Sequence, residues 1–158
     1  MAQVKTNAMR ILDKNKSIYD VITYDIKDGR IDGVSVAEKI NKPVQEVYKT
    51  LVTIGNSKEI YVFVIPVNEE LDLKKSAKIV SEKKIDMIQV KDIQKYTGYI
   101  RGGCSPLGMK KQYKTFIDST AKELDKIIVS GGKIGIQIEM NPNNLTDILN
   151  AQFENIIK

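Results

Sequence analysis

One stretch concentrates the residues best suited to hold a reacting group. Gly98-Tyr99-Ile100-Arg101-Gly102-Gly103-Cys104-Ser105-Pro106-Leu107-Gly108 places four glycines, a proline and the only cysteine within eleven residues. Glycine reaches φ > 0 and lets backbone approach a ligand without a Cβ in the way. Pro106 fixes its own φ and drives Ser105 toward an extended conformation. The stretch therefore predicts a rigid loop with inward-facing N–H groups, suited to an anion or a developing oxyanion. Composition alone equally suits a tight turn between a helix and a strand.

Lys49 is the second candidate. It lies in Val47-Tyr48-Lys49-Thr50-Leu51-Val52, between an apolar helix end and an apolar strand. A partly buried ammonium there needs a phosphate or carboxylate ligand, or helix carbonyls to cap. Cys104 invites a nucleophile, but its activation would rest on backbone dipoles or a lysine, and packing is the alternative role. Ser105 can bond a substrate hydroxyl or close its own turn. Ser130-Gly131-Gly132 forms a second small-residue loop offering N–H groups. Tyr24 and Asp32, near an earlier loop, have a solvated position as their default.

The chain contains no histidine, which removes Ser-His-Asp and Cys-His mechanisms together with most catalytic zinc sites. No clustered carboxylates suggest a metal, so neither metal nor cofactor is expected. Lys110 follows the glycine loop at the wrong spacing for a phosphate-binding P-loop, and no dinucleotide fingerprint occurs. Catalysis is left to Lys, Tyr, Asp/Glu, Ser/Thr, backbone amides or the substrate itself.

A net charge of +5 favours a polyanionic partner, nucleic acid above all. Lysines cluster at Lys74, Lys75, Lys78, Lys83 and Lys84, and again at Lys110, Lys111 and Lys114. With little aromatic interleaving they would grip phosphates rather than read bases. The 158 residues, 42% of them hydrophobic, suit one domain spanning 1–158 with its own core. No run approaches a membrane span, residues 1–5 lack an apolar leader core, and a single cysteine fits a reducing compartment. A cytoplasmic location is expected.

Along the chain, Thr6 or Asn7 caps a short helix carrying Met9, Ile11 and Leu12. A strand follows over 18–24. Ser35-Val36-Ala37-Glu38 reads as a capping box, and Pro43 opens a helix with Val44, Val47 and Tyr48 inward. Strands at 51–54 and 60–65 form a hairpin around Gly55-Asn56-Ser57-Lys58. Asp72 caps a helix, a strand covers 85–90, and a helix from Asp92 ends at the glycine loop. A strand at 115–117, a helix at 119–124 and strands at 127–130 and 134–140 follow, with Gly131-Gly132 as the turn. Asn141-Pro142 starts a last helix. Interleaved short elements with two hairpins predict an α/β (α+β) fold, a mixed and largely antiparallel sheet, open to barrel closure and flanked by helices.

Taken in order, Thr6-Asn7-Ala8-Met9-Arg10, Val36-Ala37-Glu38-Lys39, Val47-Tyr48-Lys49-Thr50-Leu51, the 98–108 loop and Val129-Ser130-Gly131-Gly132-Lys133 resemble the YbaK/EbsC family of aminoacyl-tRNA deacylases. These are relatives of the editing domain of bacterial prolyl-tRNA synthetase. The resemblance runs from residue 6 to about 155 and implies a six- or seven-stranded barrel-like sheet. It also implies clearance of cysteine from Cys-tRNA(Pro), beside prolyl-tRNA synthetase as a partner, with Cys-tRNA(Cys) a further substrate. Lys49 matches the family's essential lysine, which binds the tRNA 3′ end. Gly102 and Gly103 match the loop whose amides line the aminoacyl pocket, and Ser105 and Pro106 hold its shape. Tyr24, Thr50, Ser130 and Gly132 match pocket positions, with Gly131 beside them. The stretch 27–33 varies in the family, leaving Asp32 unassigned, and Cys104 occupies a variable position. The implied chemistry, attack by the substrate's own thiol, suits a chain without histidine. Alternatives are an Ala-tRNA(Pro) deacylase using water, a non-catalytic tRNA-binding module, and a Cys104 thiol enzyme.

Overall fold

Polar caps and apolar runs divide the chain into short elements. A computed structural model describes residues 5–158; residues 1–4, read above for leader character, lie outside them. In order they are α1 (Asn7–Lys14), β1 (Asp20–Thr23), α2 (Gly33–Lys39), β2 (Tyr48–Gly55), β3 (Ile60–Pro66), α3 (Leu73–Ile79) and β4 (Ile85–Met87). Then come α4 (Ile93–Thr97), β5 (Lys114–Asp118), β6 (Ile127–Lys133), β7 (Ile136–Met140), α5 (Pro142–Leu149) and β8 (Gln152–Glu154). Short 3-10 turns at Val44–Glu46, Val90–Asp92 and Ser119–Glu123 connect them.

β3, the most continuously apolar segment, is buried along its whole length, as a strand covered on both faces must be. It is central in the sheet β4-β2-β3-β5-β8. Pairing is antiparallel for β2 with β3 and β4, and parallel for β3 with β5 and β5 with β8. A second sheet, β1-β7-β6, is antiparallel throughout. Between the sheets lie Met9, Leu12, Tyr48, Val64, Ile117, Val129, Met140 and Leu145. The other face of β3 packs Phe63 on Phe116, with ring centroids 5.5 Å apart, beneath Ala77 and Leu71.

The sheet does not close into a barrel. One bridge, Val47 to Ile128, ties the two sheets together, and β1, β4 and β8 remain edge strands. Several local expectations also change. Asp32, not Ser35, caps α2, accepting from the Ser35 N–H at 3.1 Å and the Ser35 hydroxyl at 2.7 Å. Pro43 precedes one 3-10 turn rather than a helix, and Tyr48 is drawn into β2 by pairing with Pro66. The strand beginning at Ile85 stops at Met87. Gly131-Gly132 is a bulge inside β6, since Ser130 pairs with Gln137 and Lys133 with Ile136. The turn falls at 134–135, where Gly135 has φ +97°. β8, too short to show a period, was not expected. The helix caps at Thr6, Asp72 and Asn141 agree with the sequence, each stabilising its helix by about 1 kcal/mol.

Candidate active site

The site is built at the edge of β2 where pairing with β4 stops. β4 covers β2 only at Thr53–Gly55, and the Val52 carbonyl accepts from the Ile88 N–H at 3.1 Å. Backbone groups alternate in direction along a strand, so the N–H and C=O of Thr50 point to that same side, past the end of β4. The glycine loop, the start of α2 and the β6–β7 pair stand against this edge. Together they enclose a cavity of about 120 Å³ whose lining includes Lys49, Thr50, Gly102, Cys104, Ser130 and Gln137.

Lys49 is the one charged residue in that lining. Its ammonium is half-buried, and among the described residues it makes no hydrogen bond or ion pair. Burial lowers its pKa from the usual lysine range, partly offset by Glu70 and Glu69. A cation facing neutral walls attracts a phosphate or a developing oxyanion. Beside it the Thr50 hydroxyl is buried without a partner. The Ser130 hydroxyl accepts from the Gly132 N–H at 3.2 Å, and Gln137 is only 6% exposed.

The glycine loop presents one glycine, not two. The Gly103 N–H donates to the Ile100 carbonyl at 3.0 Å, closing a turn over Arg101 and Gly102. Gly102 sits at φ +86°, the value that a type II turn demands at its third residue. Gly102 therefore lines the cavity while the amide of Gly103 is occupied by the turn. A Cβ on Gly103 would lie 3.0 Å from the Ile134 nitrogen, so this glycine lets the loop press on the β6–β7 turn. Ser105 and Pro106 are buried outside the lining. The Ser105 hydroxyl accepts from the Leu107 N–H at 3.2 Å, and Tyr99 donates to the Leu107 carbonyl at 2.6 Å. They hold the loop's shape.

Gly131 and Gly132 also stand outside the lining. A Cβ on Gly131 would lie 2.7 Å from Ile136 Cγ2, and one on Gly132 3.1 Å from Tyr99 Cε1. They fit the bulge beneath Tyr99. Tyr24 is outside too: its hydroxyl is buried without a partner, and the Lys39 ammonium lies 5.9 Å from its ring centroid. Asp32 is a cap, its carboxyl held below the usual range mainly by the Ser35 hydroxyl. Cys104 does reach the wall, but burial pushes its thiol up to about 11, which keeps it protonated at neutral pH. Sequence reasoning missed Gln137. The signal was a lone polar residue between Ile136 and Ile138 in a strand whose inner face needed a neighbour for Ser130.

Residues 32–148 match the aminoacyl-tRNA editing domain. The chain belongs to this family. Editing domains of this kind act on mischarged tRNA, which agrees with an unpaired cation at the mouth of a small pocket. A relative from Enterococcus faecalis, EbsC, named as a Cys-tRNA(Pro)/Cys-tRNA(Cys) deacylase, is 46% identical over 154 residues, 98% of this chain and 94% of that protein. The fold is shared with a structure described as a trans-editing enzyme for prolyl tRNA synthetase, at TM-score 0.84 and 18% identity over 99% of both chains. It is shared also with the hypothetical protein APE2540, at TM-score 0.88 and 16% identity, covering 97% of this chain and 100% of the other. Among the described residues of this editing domain, no helix is long and apolar enough to cross a membrane.

Proposed function

We propose that this chain, acting as one cytoplasmic editing domain over residues 1–158, removes cysteine from mischarged Cys-tRNA(Pro), with Cys-tRNA(Cys) a second substrate. The observation that carries the reading is the unpartnered Lys49 ammonium beside Thr50 and Gly102, in a cavity without histidine and with a protonated Cys104. The name of the Enterococcus faecalis relative supports the substrate.

In this reading Lys49 holds the tRNA 3′ end, and with the Gly102 amide stabilises charge on the ester carbonyl oxygen. The substrate thiol loses its proton and attacks its own ester carbonyl. A C–S bond forms, the ester C–O bond breaks, and the proton reaches the departing ribose oxygen. The product is a cyclic thioester that water opens. The protein contributes orientation and electrostatics. Ser130 and Thr50 line the aminoacyl end, while Gly103, Ser105, Pro106, Gly131, Gly132 and Tyr24 shape its surroundings. Thiol chemistry supplies a selectivity that a pocket lacks, since one methylene-sized difference is worth only about 1–3 kcal/mol. Prolyl-tRNA synthetase is the proposed source of tRNA selectivity.

Deacylation of Cys-, Ala-, Ser- and Pro-tRNA(Pro) tests the proposal. Rapid loss of cysteine with proline retained is expected. Rapid loss of alanine with cysteine untouched would overturn the substrate, and tight binding without turnover would overturn the enzyme.

A further inference from the structure

A second cavity, of about 520 Å³, opens at the other end of the β2–β3 pair. Three separate segments wall it: residues 57–60 at the hairpin turn, Tyr96 of α4, and residues 111–114 leading into β5. Lys58, Lys111 and Lys114 stand around it, all exposed and none in an ion pair among the described residues. The nearby acids are engaged elsewhere. The Tyr61 hydroxyl lies 2.7 Å from a carboxylate oxygen of both Glu59 and Glu82. Glu82 also accepts from the Ser57 N–H at 3.1 Å and from the Ser57 hydroxyl. These contacts fix the hairpin turn, in which Lys58 sits at φ +77°. Turns ordinarily leave that conformation to Gly, Asn or Asp, yet here it presents a cation. The Tyr113 hydroxyl donates to the Tyr96 carbonyl at 2.7 Å and fixes its ring against the end of α4.

From this convergence we infer that the cavity is a second contact surface for the tRNA, gripping the sugar–phosphate backbone of its paired stem. The inference rests on the editing reading above. Lys49 pairs with Ile65, whereas Ile54 pairs with Ile60 beside the cavity. Six strand residues lead from Lys49 to Gly55, which at about 3.4 Å each separates the two sites by roughly 20 Å. The unpaired 3′ segment of a tRNA spans such a distance, so the backbone that reaches the cavity belongs to the stem. Lys95 and Lys110 continue the positive rim along α4, the Lys110 ammonium 3.5 Å from the Lys95 carbonyl. Lysine ammonium groups bind phosphates as point charges and carry no sequence information. Paired RNA is itself recognised mainly through its backbone and 2′-hydroxyls. The surface therefore holds every tRNA alike, and it lies apart from the pocket that selects the amino acid.

The test uses the whole chain with Lys58→Gln, Lys111→Gln and Lys114→Gln combined, all at exposed positions. Two substrates are compared: Cys-tRNA(Pro), and a CCA trinucleotide carrying the same 3′ cysteinyl ester, too short to reach the cavity. The triple variant should raise KM for the whole tRNA by about tenfold or more with kcat held, and leave the trinucleotide unchanged. Uncharged tRNA(Pro) should bind it with a slope of log Kd against log salt shallower by about 2–3, the scale of three lost phosphate contacts. Lys14→Gln, Lys16→Gln and Lys74→Gln combined remove the same charge elsewhere and should leave both readouts near wild type. Unchanged KM for the whole tRNA, a loss shared by the trinucleotide, or a loss matched by the second triple variant would overturn the surface. Wild-type protein that turns over neither substrate removes the editing chemistry itself, and the salt dependence of tRNA binding then decides the surface alone.

Discussion

Ser130 and Gln137 are cross-strand partners in the β6–β7 pair, and both line the cavity that holds Lys49. Strand pairing makes them neighbours across the bulge, so two neutral polar groups meet the only ammonium of the lining. No carboxylate is available there, and the substrate's own ammonium group must be met by neutral acceptors. On the proposed reading, the Gln137 side-chain carbonyl is expected to accept from it.

Gln137→Leu is therefore expected to lower kcat/KM for Cys-tRNA(Pro) by about tenfold, the scale of one hydrogen bond to a charged group. Gln137→Glu should retain more activity at neutral pH, because it preserves an acceptor. Steady-state deacylation with both variants checks the assignment; equal losses would point to packing instead.

Lys49→Met should lose deacylation by about a hundredfold or more, as removal of a group stabilising developing charge does elsewhere. Its melting temperature should not fall, because the variant removes a half-buried ammonium without a partner. Burial lowers the Lys49 pKa, so the charged form is lost at a lower pH than for an exposed lysine. The alkaline limb of the wild-type kcat/KM profile should accordingly lie below 10.5, the ordinary lysine value.

Cys104→Ala should keep most activity. The thiol, with its pKa raised to about 11, supplies almost no thiolate at pH 7. Iodoacetamide should modify the native protein far more slowly than the unfolded chain. A loss of several orders of magnitude on substitution would reinstate a thiol enzyme.

The two central glycines of the loop should respond differently to alanine. At Gly102 the added Cβ meets Ile31 Cδ1 at 2.9 Å and must adopt φ +86°, a left-handed conformation costing about 1–2 kcal/mol. The Ile31 side chain can yield. At Gly103 the Cβ meets backbone, the Ile134 nitrogen at 3.0 Å, and the loop itself must shift. Thermal melts should rank their stability, while turnover should suffer in both.

Asp32→Ala should destabilise the protein by about 1 kcal/mol through loss of the α2 cap, and Asp32→Asn by less. The Asp32 carboxyl is held below its ordinary 3.8 in the folded state. Its contribution is present above that value and is lost as pH falls through the lower folded pKa. Denaturant titrations between pH 7 and pH 2 should show a shallower acid decline in Asp32→Asn.

Much of this molecule was legible from residue types alone. Thr6, Asp72 and Asn141 announce helix starts because a side-chain oxygen can satisfy free N–H groups locally. The apolar run at 60–65 announces a strand by its β-rich residues; its central place in the sheet came from the pairing. Lys49 stands out because a charge amid apolar neighbours demands a partner, and the missing histidine narrows the chemistry without any geometry. Those statements depend on short-range forces, which the chain carries in its own order.

What remained was set by long-range contact. A single hydrogen bond from Gly103 to Ile100 decides that Gly102 alone lines the pocket. The sequence contains both glycines but not the direction of either amide. The ending of β4 at Met87 leaves Thr50 beyond the reach of that strand, and only the tertiary pairing decides where a strand stops. Gln137 joins Lys49 because β6, paired with Gln137 at Ser130, is bridged to the start of β2 through Val47 and Ile128. Residues 88 positions apart along the chain (137 − 49) have no local signal of meeting. Residue types determined which chemistry was possible; the packing of two sheets determined where it converges.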